Sequence, residues 1–323
     1  MNSKAIRGAK IIINEWVSLN SSQRLLIVTD SSHIKEAELL QHIAKETHGY
    51  ADIFVTKETG KLVGIYFDNN EDAFLDYDII IAATSYSLVT TCAAKKAIKN
   101  GKKFLSLPLH TNDKRSMLEY DFFLMDCKIS KMWAEHLIDK LNKADTVRIT
   151  TEIGSDLTFG KKNRKANFFN GNVDDCNGYS SASIEVFIPI EEDKTNGTLI
   201  VDGSFGYIGK NKKPVRIELK NGGIINIQNS SDGIILSNFI KEYDDTNLYI
   251  ASELGIGLNP LAKCVGNCYI EDESTFGTFH IGFGRNIALG GNLEANGHFD
   301  LTSFHPNIYA DDIKIMEKGQ IIF

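Results

Sequence analysis

Basic charge is in short supply in this chain of 323 residues: 35 lysines and arginines face 42 aspartates and glutamates, a net charge of −7. Nucleic-acid binders neutralise phosphate with a dense basic face. No such stripe occurs, and the longest basic cluster, Lys161, Lys162, Arg164 and Lys165, reads as a solvated turn. Cysteine is scarce as well. Cys92, Cys127, Cys176, Cys264 and Cys268 are too few and too irregularly spaced to staple so long a chain, which points to a reducing compartment. Cys264 and Cys268 lack the second pair that a tetrahedral site needs, so they read as structural loop thiols. No run approaches the ~18 apolar residues of a membrane span, and the polar stretch Met1–Lys10 lacks the apolar core and cleavage site of a secretory signal. The expected setting is cytoplasmic, with neither membrane nor nucleic acid as partner. Phosphate cradles are missing too: no G-x-G-x-x-G follows the first strand and no G-x-x-x-x-G-K-[ST] occurs, which removes the Rossmann and P-loop readings.

What is present is a hydrophobic share of 42%, that of a soluble globular protein, in a chain long enough for two domains. To about residue 145, short apolar runs alternate with helical patterns. Strands are expected at 25–29, 51–56, 78–83 and 103–107, and helices at 34–46, 87–99 and 128–142. Such alternation implies a parallel sheet. After 145 the pattern turns to period-two strands between glycine and asparagine turns, at 146–152, 183–188, 198–201, 215–219, 224–227 and 278–283, with helix mainly at 232–241. The expected architecture is an α/β scaffold domain (1–145) followed by a β-rich α+β metal-binding domain (146–323). The polar strand ends Asp30 and Ser85 are expected to shape a substrate entrance or an oligomer contact, and a homodimer is the default assembly.

Chemistry concentrates in the second half. His298 and Asp300 are two apart, which on a strand puts imidazole and carboxylate on one face. Such a pair suits zinc or iron. His280 alternates with Phe279 and Ile281 and so faces away from them, among glycines that leave room for a ligand. Glu185 and Glu253 sit in apolar surroundings, where an ionised group rarely stays buried unpaired. Period-two reading makes Glu185 share a face with Phe187, and leaves open whether it is an exposed strand carboxylate.

Five ordered segments, Ser155–Phe159 (SDLTF), Ile184–Pro189 (IEVFIP) with Asn196–Ser204 (NGTLIVDGS), Glu253–Pro260 (ELGIGLNP), Gly277–Gly284 (GTFHIGFG) and His298–Asp300 (HFD), resemble the C-terminal half of the metallopeptidase family of aminopeptidases T and S. Asp78–Thr91 and Leu105–Pro108 are similar to the shorter members of that superfamily, which include iron-dependent 2,5-dihydroxypyridine dioxygenases. By motif, the resemblance implies metal binding by Glu185, Glu253, His280, His298 and Asp300.

Two activities follow. A metal-dependent hydrolase of aminopeptidase type would use one or two zinc, cobalt or manganese ions to activate water against an amide, with Glu185 as general base because Glu253 has the more enclosed setting. A mononuclear non-haem Fe(II) dioxygenase would use His280, His298 and Asp300 alone. Retention of both glutamates favours the hydrolase, which is the leading expectation, with the dioxygenase as the alternative. The short N-terminal domain favours the oxygenase, as does the lack of tyrosine in 282–291, where the peptidases carry a functional one. The expected partner is a small molecule or short peptide.

Overall fold

The computed structural model describes residues 2–46, 50–57, 65–89 and 91–323; Thr90, inside the expected helix 87–99, lies outside them. The chain divides into two compact units, one of Met1–Cys127 and Phe169–Ser183, the other of Lys128–Phe168 and Ile184–Phe323.

In the first unit, strands Tyr50–Val55, Arg24–Thr29, Ile79–Ala83, Lys103–Ser106 and Tyr179–Ser181 lie side by side in that order, all parallel. Ile79–Ala83 is apolar and buried at every position, as a parallel strand covered on both faces must be. Leu26, Val28, Ile80 and Ala82 supply one face of this sheet to a core completed by Phe67, Phe74 and Leu88. The helix expected from Ser87 begins only at Cys92. Thr91 caps it by accepting from the Ala94 amide, while the Ser87 hydroxyl is bonded to that of Ser106. Asp30 is fully buried, and its carboxylate accepts from the amides of Ser32 and Ser85. It ties two strand ends together.

The second unit holds two antiparallel sheets. The larger has eight strands and runs from Gly223–Ile227 at one edge to Gln320–Ile321 at the other. Its Val215–Lys220 strand alternates buried with more exposed positions, as a sheet packed on one face requires. Lys161 corrects the reading of the basic cluster as solvated: it is 2% exposed, and its Nζ donates to the Ala144 carbonyl at 3.0 Å while its amide donates to the Asp145 carbonyl. Arg164 is also engaged, at Glu192. The smaller sheet orders His298–Phe304, Thr278–Gly284, Ala251–Gly257 and Ile184–Pro189 side by side. The two central strands are buried along their whole length. The architecture is therefore an α/β N-terminal region with a parallel sheet and a β-rich C-terminal region. No helix among the described residues is long and apolar enough to cross a membrane.

Candidate metal centre

Register decides which side chains meet on the smaller sheet. Gly257 pairs with Glu185, Gly255 with His280, Gly282 with both Glu253 and Asp300, and Gly284 with His298. Cross-strand partners share a face, so Glu185, Glu253, His280, His298 and Asp300 all stand on one side. The alternate residues, among them Ile184, Val186, Leu254, Ile281, Phe299 and Leu301, are fully buried on the other. Glycine recurs on the polar face because the imidazoles need the space. A Cβ on Gly255 would collide with the His280 ring, and one on Gly282 would stand 2.8 Å from His298 Cε1 and 2.9 Å from Glu253 Cβ.

The structure brings all five predicted residues together. His280 Nε2 is 3.1 Å from Glu185 Oε2 and 3.9 Å from Asp300 Oδ1. His298 Nε2 is 3.1 Å from Glu253 Oε2 and 3.2 Å from Asp300 Oδ1. Two overlapping ligand groups result, Glu185–Glu253–His280 and Glu253–His298–Asp300, with Glu253 common to both. Glu185 is buried, which removes the exposed-carboxylate alternative, and burial does not distinguish it from Glu253. The side chain of His298 is 22% exposed and gives the cluster its opening toward solvent. His298 Nδ1 lies 2.9 Å from the Arg285 carbonyl. A carbonyl only accepts, so Nδ1 carries the proton and Nε2 faces the carboxylates.

Sequence reasoning missed two members of this site. Both lie on the short helix Tyr269–Ser274, which packs against all four of the site strands. Glu273 is buried beside Glu185, Asp300 and Glu253, and the buried Tyr269 phenol lies close to Glu273 and Asp300, whose charges push it up. Their i, i+4 spacing puts both on one helix face. The acidic run Glu271–Glu273 was the only signal, and such runs are usually solvated.

Electrostatics follow from this crowding. Burial drives the Glu253 carboxyl above its usual range, and does so more strongly for Glu273, where Glu185, Asp300 and Glu253 add repulsion. Burial alone would lower both histidines, but neighbouring carboxylates win: Glu185 and Asp300 push His280 up to about 9, and Asp300 and Glu253 push His298 well above its ordinary value. Asp300 is held low against burial by His298 and His280. Four carboxyl groups against two imidazoles give the cluster more acids than bases, so displacing the protons that burial favours on Glu253 and Glu273 leaves surplus negative charge for a cation. His280 Nδ1, in addition, has no hydrogen-bond partner among the described residues. Hard oxygen and borderline nitrogen donors with surplus negative charge fit a divalent cation.

Fold and donor set together define a class: an enzyme scaffold of α/β and β-rich regions carrying a buried histidine–carboxylate centre suited to a divalent ion. The chain belongs to the 2,5-dihydroxypyridine 5,6-dioxygenase family (NicX), whose sequence profile matches residues 72–323. The 2,5-dihydroxypyridine 5,6-dioxygenase of Pseudomonas putida KT2440 is 27% identical over 143 residues, a match spanning 41% of each chain. The solved structure of a 2,5-dihydroxypyridine dioxygenase from Pseudomonas putida KT2440 superposes with a TM-score of 0.85 at 17% identity, over 100% of this chain and 98% of that one. AmpT from Thermus thermophilus gives 0.69 at 11% identity, over 99% of each. These two likenesses establish the shared fold, and with the family match they bear out the resemblance read from the motifs.

Proposed function

We propose that the protein is a mononuclear non-haem Fe(II) dioxygenase that opens the ring of a small hydroxylated nitrogen heteroaromatic of the 2,5-dihydroxypyridine kind. The family match over residues 72–323 carries this reading. His280, His298 and Asp300 would hold the iron as two imidazoles and one carboxylate. A bound ferrous ion supplies the one-electron chemistry by which dioxygen reacts with an electron-rich ring. Both oxygen atoms end in the opened product, so no outside reductant is required.

The chain's own residues prepare the substrate. Glu253 Oε2, in a carboxyl that burial makes a better proton holder, takes the proton of a substrate hydroxyl. Gly255 and Gly282 keep the face clear of side-chain bulk.

One observation favours a second reading. The two ligand groups sharing Glu253 resemble two adjacent cation positions, the arrangement a hydrolase with zinc, cobalt or manganese would use, with Glu185 or Glu253 as base.

Protein purified without oxygen or added metal distinguishes the two. About one iron per chain, with oxygen uptake matching consumption of 2,5-dihydroxypyridine, is the expected result. About two zinc, cobalt or manganese ions, peptide cleavage and no oxygen uptake would replace it with the hydrolase.

A further inference from the structure

The hairpin loop between Thr278–Gly284 and His298–Phe304 is held by a polar cluster that none of the metal-site motifs includes. Asn286 is buried at its centre. Its Nδ2 donates to Glu192 Oε1 and to the Ser252 carbonyl, each at 3.0 Å, and its Oδ1 accepts from the Leu293 amide at 2.8 Å. Glu192 Oε1 also accepts from the Asn292 amide at 2.8 Å, and its Oε2 accepts from Arg164 at 2.8 Å. Arg164 in turn donates to the Gly290 carbonyl at 3.0 Å. The loop packs so closely on Asn286 that a Cβ on Gly291 would overlap the amide.

One peptide bond links this cluster to the metal centre. The carbonyl that receives His298 Nδ1–H belongs to Arg285, and so to the peptide unit that Asn286 anchors. Immobilising that carbonyl fixes the ring's rotation and leaves Nε2 aimed at Glu253 and Asp300. Such outer partners of ligating histidines normally set tautomer and orientation.

We propose that Asn286, with Glu192 and Arg164, is a positioning device that holds the Arg285 carbonyl and thereby presents His298 Nε2 to the metal. The inference rests on His298 being a ligand, as in the proposed function, but the cluster is tested without turnover. Asn286→Ala and Glu192→Ala are expected to weaken Zn(II) or Fe(II) binding, measured by chelator competition, about 10–100-fold. The double variant should be no weaker than the worse single one, since both act through one loop. Glu192→Gln keeps an acceptor for Asn286 and Asn292 but turns a non-accepting amide nitrogen toward Arg164, so its metal affinity should fall between those of the wild type and Glu192→Ala. Asp311→Ala, which removes acceptors from the Asp145 and Thr146 amides in the same unit, should lower the melting temperature without weakening metal binding.

The second readout needs no metal. A downfield, slowly exchanging Nδ1–H proton resonance, assigned by its absence in His298→Ala, should be present in the metal-free wild type and lost in Asn286→Ala. If Asn286→Ala does not fold, Glu192→Ala carries both measurements. Metal affinity within about twofold of wild type, or retention of the resonance in the alanine variants, would overturn the proposal. A wild type that binds neither metal yet shows the resonance, lost on Asn286→Ala, would defeat the ligand role of His298 while leaving the loop's hold on the ring intact.

Discussion

Gly255 lies directly across the strand pair from His280, and the imidazole occupies the space a side chain at 255 would fill. The ring is buried and Glu185 stands at its Nε2, so it cannot swing clear as an exposed side chain would. Gly255→Ala should therefore displace the ring, cost about 1–3 kcal/mol of stability, and abolish high-affinity metal binding. Denaturant unfolding and metal titration check this together; a variant that binds metal like the wild type would show that His280 is not needed where the structure places it.

His298→Ala should remove most bound metal and nearly all activity while lowering stability by about 1–3 kcal/mol, from the lost bond to the Arg285 carbonyl and the lost pairing with Glu253 and Asp300. The sheet supporting the site is packed on its other face by apolar side chains and does not depend on this ring. Metal stoichiometry and melting temperature, measured on one preparation, decide it. Unchanged metal with a large fall in melting temperature would make His298 a structural residue.

The metal-free protein should lose stability as pH rises from about 6.5 to 9. His280 is raised from 6.5 to about 9 in the folded state, so its contribution is complete below 6.5 and disappears as pH climbs through 9. His298 is shifted in the same direction and adds to the trend, while the contributions of the raised Glu253 and Glu273 begin to fall lower, as pH rises above about 4.5. Asp300 is shifted the opposite way, and its contribution is lost only in acid. Coordination displaces these protons, so the stabilisation from added metal should grow with pH. Melting curves with and without metal test both signs; a flat or rising metal-free curve over that interval would contradict them.

Glu273→Gln should leave the metal-free melting temperature at neutral pH unchanged or slightly higher, because burial and neighbouring carboxylates already favour the neutral form of Glu273. The decline of stability toward pH 9 should become shallower in the variant. A large loss of metal-free stability at neutral pH would show that Glu273 is ionised and paired in the fold.

Much of this architecture was legible in local pattern. The apolar runs of the parallel strands, the helix Ile34–Glu46 and the alternation of Thr278–Gly284 matched the structure closely, because side-chain periodicity follows from backbone geometry within one element. The five clustered donors were legible as a set only through the resemblance of their motifs: periodicity turned His280 away from Phe279 and Ile281 and put His298 on one face with Asp300, but left the exposure of Glu185 open.

Tyr269, Glu273 and the Asn286 loop were not legible. Their roles depend on a short helix laid across several strands and on contacts between residues as far apart as Arg164 and Gly290. Lys161 likewise looks like surface charge until the chain folds back to bring the Ala144 carbonyl to its Nζ. Local periodicity settled which face His280 occupies and that His298 and Asp300 share one. Inter-strand register and the cover of the Tyr269–Ser274 helix settled which donors meet, because pairing distant segments depends on packing across the whole unit and leaves no fixed spacing in the chain.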